Sequence, residues 1–283
     1  MPQTVQLPDG RGLEVHELGD RDGFPVVYHH GTPGSGELYE RWRTPGVRLL
    51  GYDRAGYGGS ARNAGRAVVD VVADIEAVAD ALGLERFATW GLSGGGPHAL
   101  ACSARLRGRI SRVGVVVGVG PSDDPDFDFT TGMDQLNLDE FAAARESEQA
   151  LAAYLQPFVD QVRTDADALL DELAEHLPPA DQEVFRRPRH RAKGKASLLE
   201  SVRQGSRGWA DDDRAFATGW GFPLSDAASE TRLWQGEDDV LVPRAHCAYM
   251  GERLPNARFE LIPGAGHALA DHWHDILAWL AGR

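Results

Sequence analysis

Lysine is almost missing from this chain of 283 residues; the only two are Lys193 and Lys195. Cysteine is as scarce, with Cys102 and Cys247 far apart along the sequence. Two such cysteines exclude a disulfide framework and a cysteine-based metal site, so both are expected to be reduced core thiols in a cytoplasmic protein. No apolar run approaches the length of a membrane span, and residues 1–10 lack the apolar stretch of a signal peptide. Basic charge is also short: 29 Lys and Arg face 43 Asp and Glu, a formal net charge of −14. That balance excludes nucleic acid and anionic membrane surfaces as expected partners, since both reward clustered cations. The acidic surface is read as a solubility device. Histidine–carboxylate spacing typical of a metal site is absent, and Gly56-Tyr57-Gly58-Gly59 does not complete a dinucleotide fingerprint.

What is present is alternation. Val5–Leu7 and Leu13–Leu18 flank Pro8-Asp9-Gly10, a turn signature, and read as an antiparallel hairpin. Phe24–His30 and Val47–Tyr52 are short apolar strands. Residues 67–82 carry Val68, Val71, Val72, Ile75, Val78, Ala79 and Leu82 at helical spacing. Arg86–Trp90 reads as a buried strand, Gly96–Cys102 opens a helix, and Arg112–Val119 is a strand buried on both faces. Strands alternating with helices indicate βαβ units and a parallel sheet, hence an α/β fold. Residues 121–222 show no strand signal; they include helical stretches such as 139–177, expected to break at Pro157 and to end at Pro178-Pro179. The basic run 186–195 is read as a solvated helix face. Strands return at Thr231–Gln235 and Arg258–Ile262, and a helix over about 270–281 closes the chain. The expected organisation is a core of residues 1–120 and 223–283, with residues 121–222 inserted as a helical cap, or lid, over one end of the sheet.

The chemistry concentrates at Gly91-Leu92-Ser93-Gly94-Gly95, between an apolar strand and a helix. A serine on a sharp strand-to-helix turn presents its hydroxyl outward, and small neighbours are needed because a Cβ there would meet adjacent backbone. Serine is a weak nucleophile until a base takes its proton and a third group holds that base. Candidates follow in the order acid, then histidine. Gly236-Glu237-Asp238-Asp239-Val240-Leu241-Val242-Pro243 succeeds one strand, and Pro263-Gly264-Ala265-Gly266-His267-Ala268 succeeds the last. Both Asp238 and Asp239 are open on these grounds.

Together with His30-Gly31-Thr32-Pro33-Gly34 and Asp53-Arg54-Ala55-Gly56-Tyr57-Gly58-Gly59-Ser60, these motifs make the chain resemble the α/β-hydrolase superfamily of the capped, serine type, in its esterase or proline-iminopeptidase-like branch. The resemblance implies a mostly parallel eight-stranded sheet with helices on both faces. It implies Ser93 as nucleophile, His267 as general base and, from the family spacing, Asp239 as the orienting acid. The backbone N–H groups of Thr32 and Gly94 would form the oxyanion hole. Neither cofactor nor metal is implied. The implied partner is a small acyl substrate, an ester or lactone cleaved through an acyl-serine.

Asp123 and Asp124 are substitutes for the acid, and His98, His272 and His274 are rivals to His267 better read as packing or surface residues. His30 is expected to fix its loop by hydrogen bonds. His29, Leu92 and Trp220 are candidate pocket residues; core burial competes for His29 and Trp220, as it does for Trp90 and Trp209. Other chemistry on the same triad stays open: aminopeptidase, carbon–carbon bond hydrolase, perhydrolase or cofactor-free dioxygenase. Proline iminopeptidases usually carry Gly-Gly-Ser-Trp-Gly at the elbow, from which Gly91–Gly95 departs. A ligand-binding protein without turnover is the alternative from another class.

Overall fold

A computed structural model describes residues 2–283. The strands are β1 (Gln3–Gln6), β2 (Gly12–Gly19), β3 (Phe24–His29), β4 (Val47–Tyr52), β5 (Phe87–Leu92), β6 (Ile110–Val116), β7 (Glu230–Gly236) and β8 (Ala257–Ile262). They form one eight-stranded sheet in the order β1-β2-β4-β3-β5-β6-β7-β8. β2 runs antiparallel to β1 and β4, and every other neighbouring pair is parallel. This is the mostly parallel sheet expected from the alternating strands and helices.

Burial on both faces explains the apolar strands. Val27, Leu50, Val115 and Leu233 point into a core shared with α1 (Val71–Ala81), α2 (Gly95–Arg105) and α8 (Ala245–Arg253). Their chain neighbours Val26, Leu49, Val116 and Trp234 point the other way, against Trp42 and the apolar side of α9 (Trp273–Leu280). Period-two alternation with both faces apolar is what a strand sandwiched between helices requires. At the hairpin, Gly10 takes φ 88° and Asp9 Oδ1 accepts from Arg11 N at 3.0 Å.

Between β6 and β7 run five helices: α3 (Gln135–Glu146), α4 (Glu148–Glu175), α5 (Pro179–Arg186), α6 (Pro188–Ser201) and α7 (Arg207–Thr218). Asp134 caps α3 by accepting from Asn137 N at 2.9 Å, and Ser147 Oγ caps α4 by accepting from Ala150 N at 3.0 Å. The expected break at Pro157 is not there. α4 continues through Pro157 and turns at Asp165 (φ −152°, ψ 82°), whose Oδ1 accepts from Ala168 N at 3.0 Å and starts the helix again. Losing one backbone donor at Pro157 is tolerated because Leu151, Leu155, Val159 and Val162 stay buried along one face. The run 186–195 is not merely a solvated face either. Arg191 pairs with Asp167 and Asp171 on α4, Lys195 with Asp167, and Arg187 and Lys193 reach Asp271 and Glu37 outside the insertion. Among the described residues no helix is long and apolar enough to cross a membrane.

Candidate active site

The carboxyl ends of the parallel strands share one edge of the sheet, the usual place for a ligand in such a fold. β5 ends there in the elbow. Ser93 takes φ 54°, its N–H donates to the Val116 carbonyl at 2.8 Å, and its carbonyl accepts from Gly96 N at 2.9 Å. A non-glycine residue in left-handed backbone is strained and persists only where its surroundings dictate it. Here they do: a Cβ on Gly91 would collide with the Gly95 carbonyl, and one on Gly95 with the carbonyl of His29.

The loop after β7 places Asp239, 5% exposed, against the loop after β8. His267 Nδ1–H donates to Asp239 Oδ2 at 2.8 Å. The carboxylate is held from its other sides: Gln235 Nε2 donates to Oδ2 at 3.0 Å, and the N–H groups of Leu241 and Val242 donate to Oδ1 at 3.0 Å each. Asp238 has no such contact; its N–H donates to the Ala265 carbonyl at 2.9 Å and straps the two loops together. Burial works against charge on His267, but Asp239, through its charge and hydrogen bond, outweighs it; with a smaller push from Asp181 the imidazole sits above the usual histidine range. Ser93 and His267 line the same cavity, although no hydrogen bond joins them among the described residues. Such bonds are often long before substrate binds.

Thr32 and Gly94 line that cavity together with Ser93. They are close neighbours: a Cβ on Gly94 would lie 2.5 Å from Thr32 Oγ1. Neither backbone N–H donates to a protein group among the described residues.

The cavity has two adjoining lobes, of about 210 Å³ and about 320 Å³. The insertion supplies much of the wall, including Phe141, Tyr154, Phe158, Leu198, Trp209 and Phe216. Leu92 lines the second lobe. His29 and Trp220 do not line either lobe, and both readings as pocket residues are corrected. His29 is fully buried beneath the elbow, bonded through Nδ1 to Tyr52 Oη and through Nε2 to Thr89 Oγ1 at 2.8 Å each. Burial pushes its pKa well below the usual value, so it stays neutral. Trp220 lies in the core under the end of the insertion, where its carbonyl accepts from Val69 N at 3.0 Å. His98 is likewise buried, its Nδ1–H donating to the Gly94 carbonyl at 2.9 Å. His30 fixes its loop, accepting at Nε2 from Arg54 N at 3.0 Å.

Sequence reasoning missed the acidic centre of α7. Asp211, Asp212 and Asp213 are consecutive and all buried. Asp212 accepts from Arg54, from Arg66 Nη2 at 2.6 Å, from Tyr57 Oη at 2.9 Å and from Thr32 Oγ1 at 2.8 Å. Burial opposes its charge, yet the two guanidinium groups hold its carboxyl far below the usual range. Asp213 and Glu140 line the first lobe together. Burial, then the neighbouring Glu140 charge, pushes Asp213 well above the usual range. Trp209 Nε1 donates to Glu140 Oε1 at 2.6 Å, and Asp213 Oδ2 has no partner. The sequence signal for these buried acids was the group Arg54, Arg62 and Arg66 between β4 and α1, whose carboxylate partners are Asp211 and Asp212.

One grouping could hold a metal among the described residues, Glu14, His16 and Asp53, which sequence spacing did not show. Asp53 is already engaged by the N–H groups of Gly36 at 2.7 Å and Gly59 at 3.3 Å. None of the three lines the Ser93 cavity.

A family model described as alpha/beta hydrolase fold matches residues 25–271. A non-heme chloroperoxidase from Streptomyces lividans is 33% identical over 158 residues, a match spanning 52% of this chain and 55%, about half, of that protein. A 2-hydroxy-6-oxo-2,4-heptadienoate hydrolase from Pseudomonas putida is 27% identical over 274 residues, covering 92% of this chain and 88% of the relative. Among solved structures, an esterase from Exiguobacterium antarcticum superposes with a TM-score of 0.71 at 23% identity, covering 100% of this chain and 98% of the other, a likeness of fold.

Proposed function

The chain belongs to the alpha/beta hydrolase fold family, and from that premise we propose that it is a serine hydrolase cleaving a carboxylic ester, lactone or related acyl bond of a small molecule through an acyl-serine. One observation carries the reading: the left-handed Ser93 opens on the same cavity as His267, whose Nδ1–H is fixed on Asp239 at 2.8 Å. That tautomer leaves Nε2 with a lone pair for the proton of Ser93.

In this mechanism His267 Nε2 takes the proton as Ser93 Oγ attacks the carbonyl carbon. The oxyanion accepts from the N–H groups of Gly94 and Thr32, each worth on the order of 3 kcal/mol in the barrier. His267 then gives its proton to the leaving oxygen, and the alcohol departs. Water, deprotonated by the same nitrogen, attacks the acyl-serine, and His267 returns that proton to Ser93 Oγ as the acid leaves. Residues 121–222 act as a cap that roofs the cavity and sets substrate size. The largely apolar walls suit an apolar acyl or alcohol group.

A panel of p-nitrophenyl esters of rising chain length tests the proposal. Turnover that peaks at one chain length and vanishes in Ser93→Ala supports it. Undiminished turnover in that variant rejects the acyl-serine. The resemblance to a heptadienoate hydrolase makes carbon–carbon cleavage the second reading, favoured by a panel that finds no activated ester cleaved.

A further inference from the structure

The loop that carries His267 does not hold itself in place. Between β8 and α9 its own backbone bonds are few: Ala265 N donates to the Ile262 carbonyl at a long 3.4 Å, and His272 N to the Leu269 carbonyl at 3.2 Å. The N–H groups of His267 and Ala268 take no partner from the loop. Both donate to one carboxylate on α5 of the cap, His267 N to Asp181 Oδ2 at 2.8 Å and Ala268 N to Asp181 Oδ1 at 2.9 Å. Asp181 is 2% exposed and does not line the cavity, so it is placed to act on the loop and not on substrate.

The approach is built from both sides. Gly266 lies so close to the Asp181 carboxylate that any Cβ there would collide with it. Pro179 at the start of α5 presets its first turn, which contains Asp181. At the other end of α5, Arg187 pairs with Asp271 at 2.9 Å, a second and more exposed tie to the same loop.

We propose that Asp181 is a positioning residue for the general base: its carboxylate, carried by the cap, clamps the backbone at His267 and Ala268 and so sets the imidazole between Asp239 and Ser93. The inference rests on the reading of Ser93 and His267 given above. It makes the cap part of the catalytic apparatus, because displacing α5 would release the base as well as open the cavity. The charges acting on the imidazole are then two, Asp239 after β7 and Asp181 on α5. Both favour its protonated form.

The test compares wild type, Asp181→Asn, Asp181→Glu and, as a control on the exposed tie, Arg187→Gln, using the best p-nitrophenyl ester. Asparagine offers one acceptor where the carboxylate offers two, so one N–H loses its partner. We expect kcat to fall about 10- to 100-fold in Asp181→Asn, with KM changing less than about threefold. The acid limb of kcat/KM should move to lower pH, a shift that a merely structural role would not give. Asp181→Glu should recover part of kcat, and Arg187→Gln should stay within about twofold of wild type. If the variants fail to fold, hydrogen exchange in the wild type decides: the His267 and Ala268 amides should be as protected as the helical amides of α5. Unchanged kcat with an unmoved acid limb, a change confined to KM, or fast exchange at both amides overturns the clamp. A fluorophosphonate separates the two failures. Wild type labelled at Ser93 with Asp181→Asn unimpaired sinks the clamp alone, whereas unlabelled wild type sinks the Ser93 reading and the clamp with it.

Discussion

Replacing Asp239 by asparagine should disable the enzyme without emptying the site, and the contacts show why. Oδ1 accepts from the N–H groups of Leu241 and Val242, while Oδ2 accepts from His267 Nδ1 and Gln235 Nε2. An asparagine that keeps its oxygen on the two backbone donors must turn its NH2 toward His267. The imidazole then has to accept at Nδ1, which moves its proton to Nε2, the atom meant to take the proton of Ser93. The alternative flip strands the N–H groups of Leu241 and Val242. The expected loss is about 10⁴-fold in kcat, or about 5 kcal/mol in the barrier, with KM little changed. The pH profile should move as well. In the wild type, Asp239 holds His267 above the usual histidine range, so activity that needs a neutral imidazole falls as pH drops through that raised value. Without the charge the acid limb shifts to lower pH. Steady-state ester hydrolysis from pH 5 to 9 would read both effects, with Asp238→Asn as the neighbour expected to be near neutral. Retention of more than about a tenth of wild-type kcat in Asp239→Asn would refute the reasoning, since a misplaced proton costs far more.

Other consequences concern the buried acids. Arg54→Met should cost about 3–5 kcal/mol in urea unfolding, because it leaves the fully buried Asp212 with Arg66 as its only guanidinium partner; a loss below about 1 kcal/mol would show that the pair is not buried as described. Asp213→Asn should gain stability over wild type as pH rises. The Asp213 carboxyl is held well above its value of about 3.9 in an unfolded chain. From about pH 4 upward the unfolded chain therefore sheds a proton that the folded chain keeps, and stability falls until the folded value is reached. Asparagine carries no such penalty, so the Tm advantage of the variant should widen from pH 5 to pH 8; parallel Tm curves would contradict it.

How much was legible in the sequence depended on whether the deciding physics was local. The hairpin at Pro8-Asp9-Gly10, the apolar strands and the elbow at Ser93 are set by turn chemistry and period-two patterning within a few residues. The loops bearing Asp239 and His267 were found because glycine and proline mark them. The acid run Asp211-Asp212-Asp213 gave no signal of burial, because the partners of Asp212, Arg54 and Arg66, lie 158 and 146 residues earlier. His29 and Trp220 were misplaced for a related reason. Their types suit a pocket and a core equally, and only the packing of β3 and of the last turn of the insertion decides between them. Asp181 gave no signal at all, since its two donors are backbone groups 86 and 87 residues away. Pro157 shows the converse, a strong local signal overridden by a buried helical face.

In the proposed mechanism everything depends on His267 activating the hydroxyl of Ser93. Its most direct test is the mass of the intact protein after reaction with a fluorophosphonate at several pH values, followed by peptide mapping. A single adduct is expected on the peptide containing Ser93, forming faster as pH rises and His267 loses its proton, and absent in Ser93→Ala. An adduct on another residue, or none on a folded protein at any pH, would contradict it.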